Sequence, residues 1–265
     1  MGKGKGNFSK TSPNMIDVIG IPFETSENFL RGSALAPAHI RWHLWGIDRY
    51  SPYFKEKMPE FSDLGDIWTD FDLDPESRLN LISEKLRERI IRKTLFLGGD
   101  HTISLATIPV MREKFGEFAV LHLDAHLDRW DNFGGRYSHA TVMRRLEEMG
   151  FTVGTFGYRT VGEGEYIPRF GCELGLCGLK DFVESFEKIY LSFDFDFFDP
   201  SFFPAVSNPE PMGFAFKDFV EILKTLRGKL VGIELVEYLP TLDHSLTCGT
   251  ISAIVFRESL IALHR

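Results

Sequence analysis

Short apolar segments alternate along the chain with longer segments in which apolar residues recur at helical spacing, as in residues 79–90. The short segments predict strands at 15–22, 94–97, 118–125, 151–158, 189–199 and 229–239. The longer segments predict helices that begin near 36 and 75 and continue at 104–115, 140–149, 180–186, 217–226 and 251–264. This alternation predicts an α/β fold with three layers, α/β/α, around a central, mostly parallel sheet. We expect residues 15–265 to form a single domain behind a flexible polar tail at 1–14.

Metal-capable side chains follow the predicted strand at 118–125. Asp124, His126 and Asp128 occupy alternate positions there. Alternate side chains of extended backbone share a face, so these three are predicted to converge on one side. Acids and imidazoles are costly to bury together unless a cation lies between them. The plain alternative is a charged, solvated strand edge.

Two further segments carry similar groups. Ser192, Asp194 and Asp196 alternate with phenylalanines, and Pro200 ends this predicted strand because proline has no amide hydrogen for the sheet. Gly98-Gly99-Asp100-His101 reads as a tight turn from strand to helix with an imidazole at its tip. All three segments lie at predicted carboxyl ends of strands, where open parallel sheets bind ligands.

The net charge and the cysteine content limit the kinds of ligand and the cellular location that we expect for the protein. A net charge of −8 argues against non-specific binding of nucleic acid or of anionic membranes, and is compatible with a cationic substrate. The sequence shows neither a membrane-spanning segment nor a secretion signal. Cys172 and Cys177 could bridge or bind a metal, but together with Cys248 they are expected to be reduced packing residues of a cytoplasmic protein.

The sequence offers six candidate metal ligands, which is more than the three or four that one zinc ion normally takes. They are His101, Asp124, His126, Asp128, Asp194 and Asp196. Carboxylates and imidazoles in this number suit two oxygen-preferring divalent ions with one or two bridging aspartates. Two ions about 3.5–4 Å apart lower the pKa of a shared water and supply hydroxide as a nucleophile. Asp100 and His122 are expected to support their neighbours rather than to bind metal.

These motifs, with Tyr137-Ser138-His139 and Val236-Glu237-Tyr238, resemble those of the ureohydrolases, the family of arginases and agmatinases. The resemblance extends from Gly20 to Ala262. It implies an arginase-like fold, a homotrimer or hexamer, and two Mn²⁺ ions per subunit. One ion would be held by His101, Asp124, Asp128 and Asp194, and the other by His126, Asp124, Asp194 and Asp196.

The resemblance also implies a reaction, hydrolysis of a guanidinium group to urea and an amine by a metal-bridging hydroxide. Glu237 would bind the guanidinium by charge-assisted hydrogen bonds, although Glu234 lies in the same predicted strand. Asp128 would pass a proton to the leaving nitrogen. His139 would shuttle protons at the pocket mouth, since imidazole titrates near neutrality, or would merely begin the following helix.

The segment 129–138 is short, and with Met143-Arg144-Arg145 it resembles agmatinases more than arginases. Agmatine, or an aminopropyl derivative, is therefore the leading substrate, which would place the protein in polyamine biosynthesis. Ala140-Thr141-Val142 departs from the Gly-Thr-Pro of many agmatinases, and arginine, guanidinobutyrate and formiminoglutamate stay open. Two other classes are a two-metal phosphoesterase, for which Arg129 and Arg136 are the nearby basic residues, and a non-catalytic metal-binding homologue.

Overall fold

The structure, a computed structural model, describes residues 15–25 and 29–265, and the predicted tail at 1–14 lies outside the described residues. Its strands are β1 (Ile16–Ile21), β2 (Tyr50–Ser51), β3 (Glu56–Lys57), β4 (Phe61–Asp66), β5 (Thr94–Gly98), β6 (Ala119–Leu123), β7 (Val153–Phe156), β8 (Phe170–Cys172), β9 (Ile189–Asp194) and β10 (Leu230–Val236). Its α-helices are α1 (Ala36–His43), α2 (Pro75–Arg89), α3 (Ser104–Phe115), α4 (Val142–Glu148), α5 (Leu179–Ser185), α6 (Phe216–Leu226) and α7 (Thr247–Leu263). No helix within these described ranges is long and apolar enough to cross a membrane.

The main sheet has the strand order β4-β1-β5-β10-β9-β6-β7-β8, and each neighbouring pair in it is parallel. Parallel neighbours need crossover connections, which the helices provide. The predicted α/β/α architecture is therefore confirmed. The apolar pattern does not predict the edge strands β4 and β8, because both are short or partly exposed and so lack a continuous apolar run.

Successive residues of each central strand point into two separate cores. On β5, Leu95 and Leu97 pack in the core shared with α1, α5, α6 and α7. Phe96, between them, packs in the core shared with α2, α3 and α4. Burying an apolar side chain of this size contributes about 1.5–3 kcal/mol, so both faces of the sheet hold the helices in place.

The four central strands, β5, β10, β9 and β6, bring distant parts of the chain together. The strands end at nearly the same height in the sheet, because Val236 at the end of β10 pairs with Asp194 at the end of β9, and Leu123 at the end of β6 pairs with Phe193. The segments that follow these strands begin at residues 99, 237, 195 and 124. Each predicted metal-capable segment, and Glu237, therefore reaches the same edge of the sheet.

The turn after β5 requires glycine at position 99. The amide of Gly99 donates to the carbonyl of Ile21 at 3.0 Å, and that of Asp100 donates to the carbonyl of Phe23 at 2.9 Å. A Cβ at Gly99 would lie 1.9 Å from the Phe23 oxygen, so no side chain fits. The Asp100 carboxylate then accepts the amide of Thr102 at 2.9 Å and caps a 3-10 helix that begins with His101.

The cysteine prediction is wrong for two of the three residues. Cys172 and Cys177 form a disulfide, and only Cys248 is free and buried among the described residues. The chain turns back after β8, which brings the two Cα atoms to 5.6 Å, a separation that a disulfide spans. The argument from reduced cysteines to a cytoplasmic location loses its support.

Candidate metal centre and substrate pocket

The metal-capable segments after β6 and β9 are turns rather than continuing strands. β6 ends at Leu123, and Asp124 Oδ1 accepts the amide of His126 at 2.5 Å. β9 ends at Asp194, whose Oδ1 accepts the amide of Asp196 at 2.7 Å at the start of a 3-10 helix. Aspartate commonly stabilises a turn by binding the amide two residues on. The predicted alternation of faces is therefore wrong beyond Leu123 and Asp194, although the side chains do converge.

His101 faces three carboxylates. Its Nδ1 lies 3.2 Å from Asp124 Oδ2, 3.3 Å from Asp128 Oδ2 and 3.3 Å from Asp194 Oδ2. All four side chains are buried or nearly so. None of these oxygens meets Nδ1 with hydrogen-bond geometry, so a buried ring nitrogen is left without a partner. The donors match the first predicted ligand set.

The hydrogen bond of the other ring nitrogen of His101, Nε2, shows that Nδ1 is the nitrogen that can bind metal. Ser192 donates its hydroxyl proton to Glu234 at 2.7 Å, so its oxygen accepts from His101 Nε2 at 2.7 Å. The proton of the neutral ring then lies on Nε2, and the lone pair on Nδ1 points toward the carboxylates. This orientation fits a divalent cation at the centre of the group.

A second group shares Asp124 with the first. His126 Nδ1 lies 2.8 Å from Asp196 Oδ2 and 3.4 Å from Asp124 Oδ1. Asp124 therefore directs one oxygen to His101 and the other to His126, which is the arrangement of a bridging ligand. Among the described residues, ligand atoms of Asp124, His126 and Asp196 lie within 4.8 Å of one another, and so do those of His101, His122, Asp124 and Asp128.

The charges of the groups conflict in the absence of a cation. Burial and the neighbouring carboxylates raise the pKa of Asp128 and of Asp194 well above the ordinary value. Burial opposes protonation of His101 and His126, yet the closeness of the aspartate carboxylates raises the pKa of both imidazoles well above the ordinary value. Protons therefore compete with a metal ion for Nδ1, and two divalent cations would balance the carboxylates.

A buried chain of hydrogen bonds supports Asp124 from behind. Arg129 Nη1 donates to Thr155 Oγ1 at 2.8 Å, so the Thr155 hydroxyl proton is free to go to His122 Nδ1 at 3.0 Å. His122 Nε2 then donates to Asp124 Oδ2 at 2.7 Å. Burial lowers the pKa of His122 to about 4, so the ring is neutral. His122 thus supports the predicted metal ligand Asp124 by a direct hydrogen bond, as the sequence predicts. Asp100 supports its neighbour differently, because it caps the turn that carries His101.

The two glutamates of β10 and its end have different surroundings. Glu234 is fully buried and binds the hydroxyls of Ser104, Thr107, Tyr190 and Ser192. Glu237 lines the cavity with a positive φ of 66°, and its Oε1 accepts the amide of His101 at 2.7 Å. Burial, with the charge of Asp100, raises the pKa of Glu237 well above the ordinary value. A cation beside it would favour the charged form.

His139 begins a 3-10 helix, His139–Thr141, and also lines the cavity, so both sequence interpretations of this residue describe part of its environment. Its Nδ1 is buried without a hydrogen-bond partner, and its ring packs edge-on against Phe133 at 5.5 Å. Burial lowers its pKa, which leaves the ring neutral at pH 7.

All eight predicted site residues line one cavity of about 400 Å³. Its walls also contain side chains that sequence reasoning missed, notably Glu165 and Glu210, both in loops without a distinctive motif. Glu165 accepts the amides of Arg129 and Gly162, both at 2.7 Å. Glu210 is part-exposed, with Oε1 3.8 Å from His126 Nε2. The aromatic side chains of Trp130 and Phe133 also line the cavity.

Neither of the two basic residues considered for a phosphate site lines this cavity. Arg129 is fully buried, with its guanidinium bound to Leu127, Thr155 and Glu147. Arg136 is exposed and paired with Glu148. Among described residues the cavity lining contains no lysine or arginine, so it offers carboxylates and imidazoles but no permanent cation.

Comparison with known proteins agrees with the motifs. The profile of the Arginase family matches residues 14–261. The chain is 35% identical over 273 residues to "Arginase 2, chloroplastic/mitochondrial" of Arabidopsis thaliana, covering 92% of this chain and 79% of that protein. It is 28% identical to an agmatinase of Bacillus anthracis, covering 96% and 95% of the two chains. The solved arginase of Medicago truncatula matches with a TM-score of 0.82 at 28% identity, covering 94% and 87%.

The chain belongs to the arginase family, as its motifs predict. It is a guanidino hydrolase with a plausible binuclear metal site, and this family usually holds Mn²⁺ there. Both arginases and agmatinases are among its relatives, so membership alone does not select the substrate.

Proposed function

We propose that this protein hydrolyses agmatine, or an aminopropyl derivative of it, to urea and an amine. The observation that carries the proposal is the charge of the cavity, whose described lining has carboxylates beyond the metal-capable cluster and no lysine or arginine. Agmatine is a dication, with a guanidinium at one end and an ammonium at the other. Glu237 lines the cavity beside His101, and the part-exposed Glu210 lines it near His126, so the two acidic side chains can serve the two cationic ends.

Substrates with a carboxylate tail fit this cavity less well. Guanidinobutyrate, formiminoglutamate and arginine each carry a carboxylate that would meet acidic side chains. Two like charges 4 Å apart repel by about 4 kcal/mol at an effective dielectric constant of 20, which corresponds to a large loss of affinity. Arginine is the second candidate, because its ammonium partly offsets its carboxylate and because the Arabidopsis thaliana relative at 35% identity is named an arginase.

In this proposal His101, Asp124, Asp128 and Asp194 hold one Mn²⁺ ion, and His126, Asp124, Asp194 and Asp196 hold the second. The pair of ions, when bound, supplies Lewis-acid activation of water. Support comes from the unpartnered Nδ1 of His101 and from the two oxygens of Asp124, which face different imidazoles.

Glu237 holds the guanidinium in this proposal. Its Oε1 is already bound to the amide of His101 at 2.7 Å, so the carboxylate is held in one orientation and Oε2 is left to accept guanidinium N–H groups. Such charge-assisted hydrogen bonds are roughly twice as strong as neutral ones. The binding also fixes the electrophilic carbon beside the metal-capable cluster, and orientation of this kind is a large part of catalysis.

Asp128 and His139 move protons in this proposal. Asp128 accepts a proton from the attacking water and donates it to the nitrogen that leaves. His139 exchanges protons between the cavity and solvent, for which its neutral ring is suited. A homotrimeric or hexameric state is carried over from the resemblance as part of the proposal, and the cytoplasmic location expected from the sequence is kept as another part of it.

Product release in the presence of Mn²⁺ tests the substrate: urea is measured for agmatine, aminopropylagmatine, arginine and guanidinobutyrate, and formamide for formiminoglutamate. The highest kcat/KM is expected for agmatine or its aminopropyl derivative. Glu210→Gln should raise KM for agmatine more than for guanidinobutyrate, whereas Glu237→Gln should weaken both alike. Highest activity on a carboxylate-bearing substrate, with Glu210→Gln silent, would reject the assignment.

A further inference from the structure

A second cluster of metal-capable side chains lies outside the cavity, where α1 meets the start of α7. His39 and His43 are one helical turn apart on α1, and Asp243 precedes α7. One ligand atom from each of the three lies within 4.8 Å of the others. His43 and Asp243 are buried, with 8% and 6% of their surfaces exposed, and His39 is partly open to solvent.

The hydrogen bonds of His43 leave one nitrogen with a free lone pair. Thr250 gives its hydroxyl proton to the carbonyl of Leu246 at 3.1 Å. Its oxygen therefore accepts from His43 Nδ1 at 3.2 Å, and the ring proton lies on Nδ1. Nε2 is then unprotonated, buried and without a hydrogen-bond partner.

The same reasoning applies to His39. Tyr238 donates its hydroxyl proton to Asp243 Oδ2 at 3.0 Å, so its oxygen accepts from His39 Nδ1 at 2.8 Å. The lone pair of His39 therefore lies on Nε2. Asp243 Oδ2 also accepts the amide of Gly249 at 2.7 Å, whereas Oδ1 has only a long contact of 3.5 Å with Ser245.

Gly249 makes room for this arrangement. A Cβ at Gly249 would lie 2.2 Å from His43 Nε2, so only glycine lets the imidazole pack against the start of α7. The two imidazole centroids are 4.7 Å apart. Two rings that bind one tetrahedral ion at about 2.0–2.1 Å have centroids roughly 5 Å apart, which is close to the spacing of the His39 and His43 rings.

We propose that His39, His43 and Asp243 form a binding site for one transition-metal ion of the Zn²⁺ class, separate from the binuclear centre. Two imidazoles and one carboxylate are ligands that zinc accepts, and they leave a fourth position for water on the partly open side of His39. Each imidazole has its other nitrogen anchored to a hydroxyl oxygen, as metal-binding histidines commonly do. The ion would join α1 to α7 and to Tyr238, the neighbour of Glu237.

The test is total metal content after equilibration with Mn²⁺ and micromolar Zn²⁺, measured by mass spectrometry of the full-length protein. The wild type should retain one equivalent of metal more per chain than His43→Gln. His264→Gln, which removes an exposed histidine at the end of α7, should match the wild type. Total content is used because zinc can replace manganese in the binuclear centre, and the difference between variants holds whatever that centre binds.

Anomalous diffraction at the zinc edge from wild-type crystals provides a second measurement that needs no variant to fold. A peak enclosed by His39, His43 and Asp243 is expected. Equal metal content in wild type and His43→Gln, or a zinc-soaked crystal with no peak at this position, would overturn the proposal.

Discussion

Thr155→Val is the sharpest test of how the chain holds Asp124. Valine has nearly the shape of threonine, so packing on β7 is retained while the hydroxyl is lost. His122 Nδ1 then loses its contact at 3.0 Å, and one Arg129 donor loses its contact at 2.8 Å. Without the Thr155 proton, the His122 ring is free to carry its proton on Nδ1, which turns a lone pair toward Asp124.

A buried polar group left unpaired costs about 1–3 kcal/mol. The fraction of this free energy that comes from weakening the His122–Asp124 hydrogen bond lowers the affinity of the site for metal. We expect the dissociation constant for Mn²⁺ to rise about 10- to 100-fold, the usual range for a partner that supports a metal ligand. Activity at saturating Mn²⁺ should largely recover, because Asp124 itself is intact.

The assay is competition for Mn²⁺ against a fluorescent chelator, with thermal unfolding measured in parallel. Thr152→Val, at a half-buried position just before the same strand, controls for the loss of a threonine hydroxyl near β7. An unchanged Mn²⁺ dissociation constant together with reduced stability would show that the chain from Arg129 to Asp124 is only structural.

Three further predictions follow from the same geometry. His126→Ala should lose one metal ion per chain and most urea release; unchanged metal content would contradict a centre of two ions. Mn²⁺ affinity should rise with pH, because the raised pKa values of His101 and His126 mean that protons occupy Nδ1 at lower pH; titrations from pH 6 to 9 measure this, and a flat profile would contradict it. Phe193→Ala, which empties a fully buried site on the central strand β9, should lower the free energy of unfolding by about 3–5 kcal/mol in a urea denaturation series, and a loss under 1 kcal/mol would contradict the packing described.

Local sequence determined the class of fold and the identity of the metal-capable groups. Alternating strand and helix patterns predict a parallel sheet because each parallel pair needs a crossover helix, and the observed sheet agrees. The acids after β6 and β9 stand out because carboxylates beside buried apolar residues are costly without a partner. These signals depend on neighbouring residues, so they can be read along the chain.

Tertiary structure decided how those groups meet. The alternation of side chains between the two faces of a strand does not continue beyond Leu123 and Asp194, where turns replace extended backbone. The disulfide of Cys172 and Cys177, the different surroundings of Glu234 and Glu237, and the approach of Glu210 to His126 also depend on the folded chain. The physical reason is that the strand order β5-β10-β9-β6 and the paths of the loops arise from packing between distant segments, which local patterns of polarity do not encode.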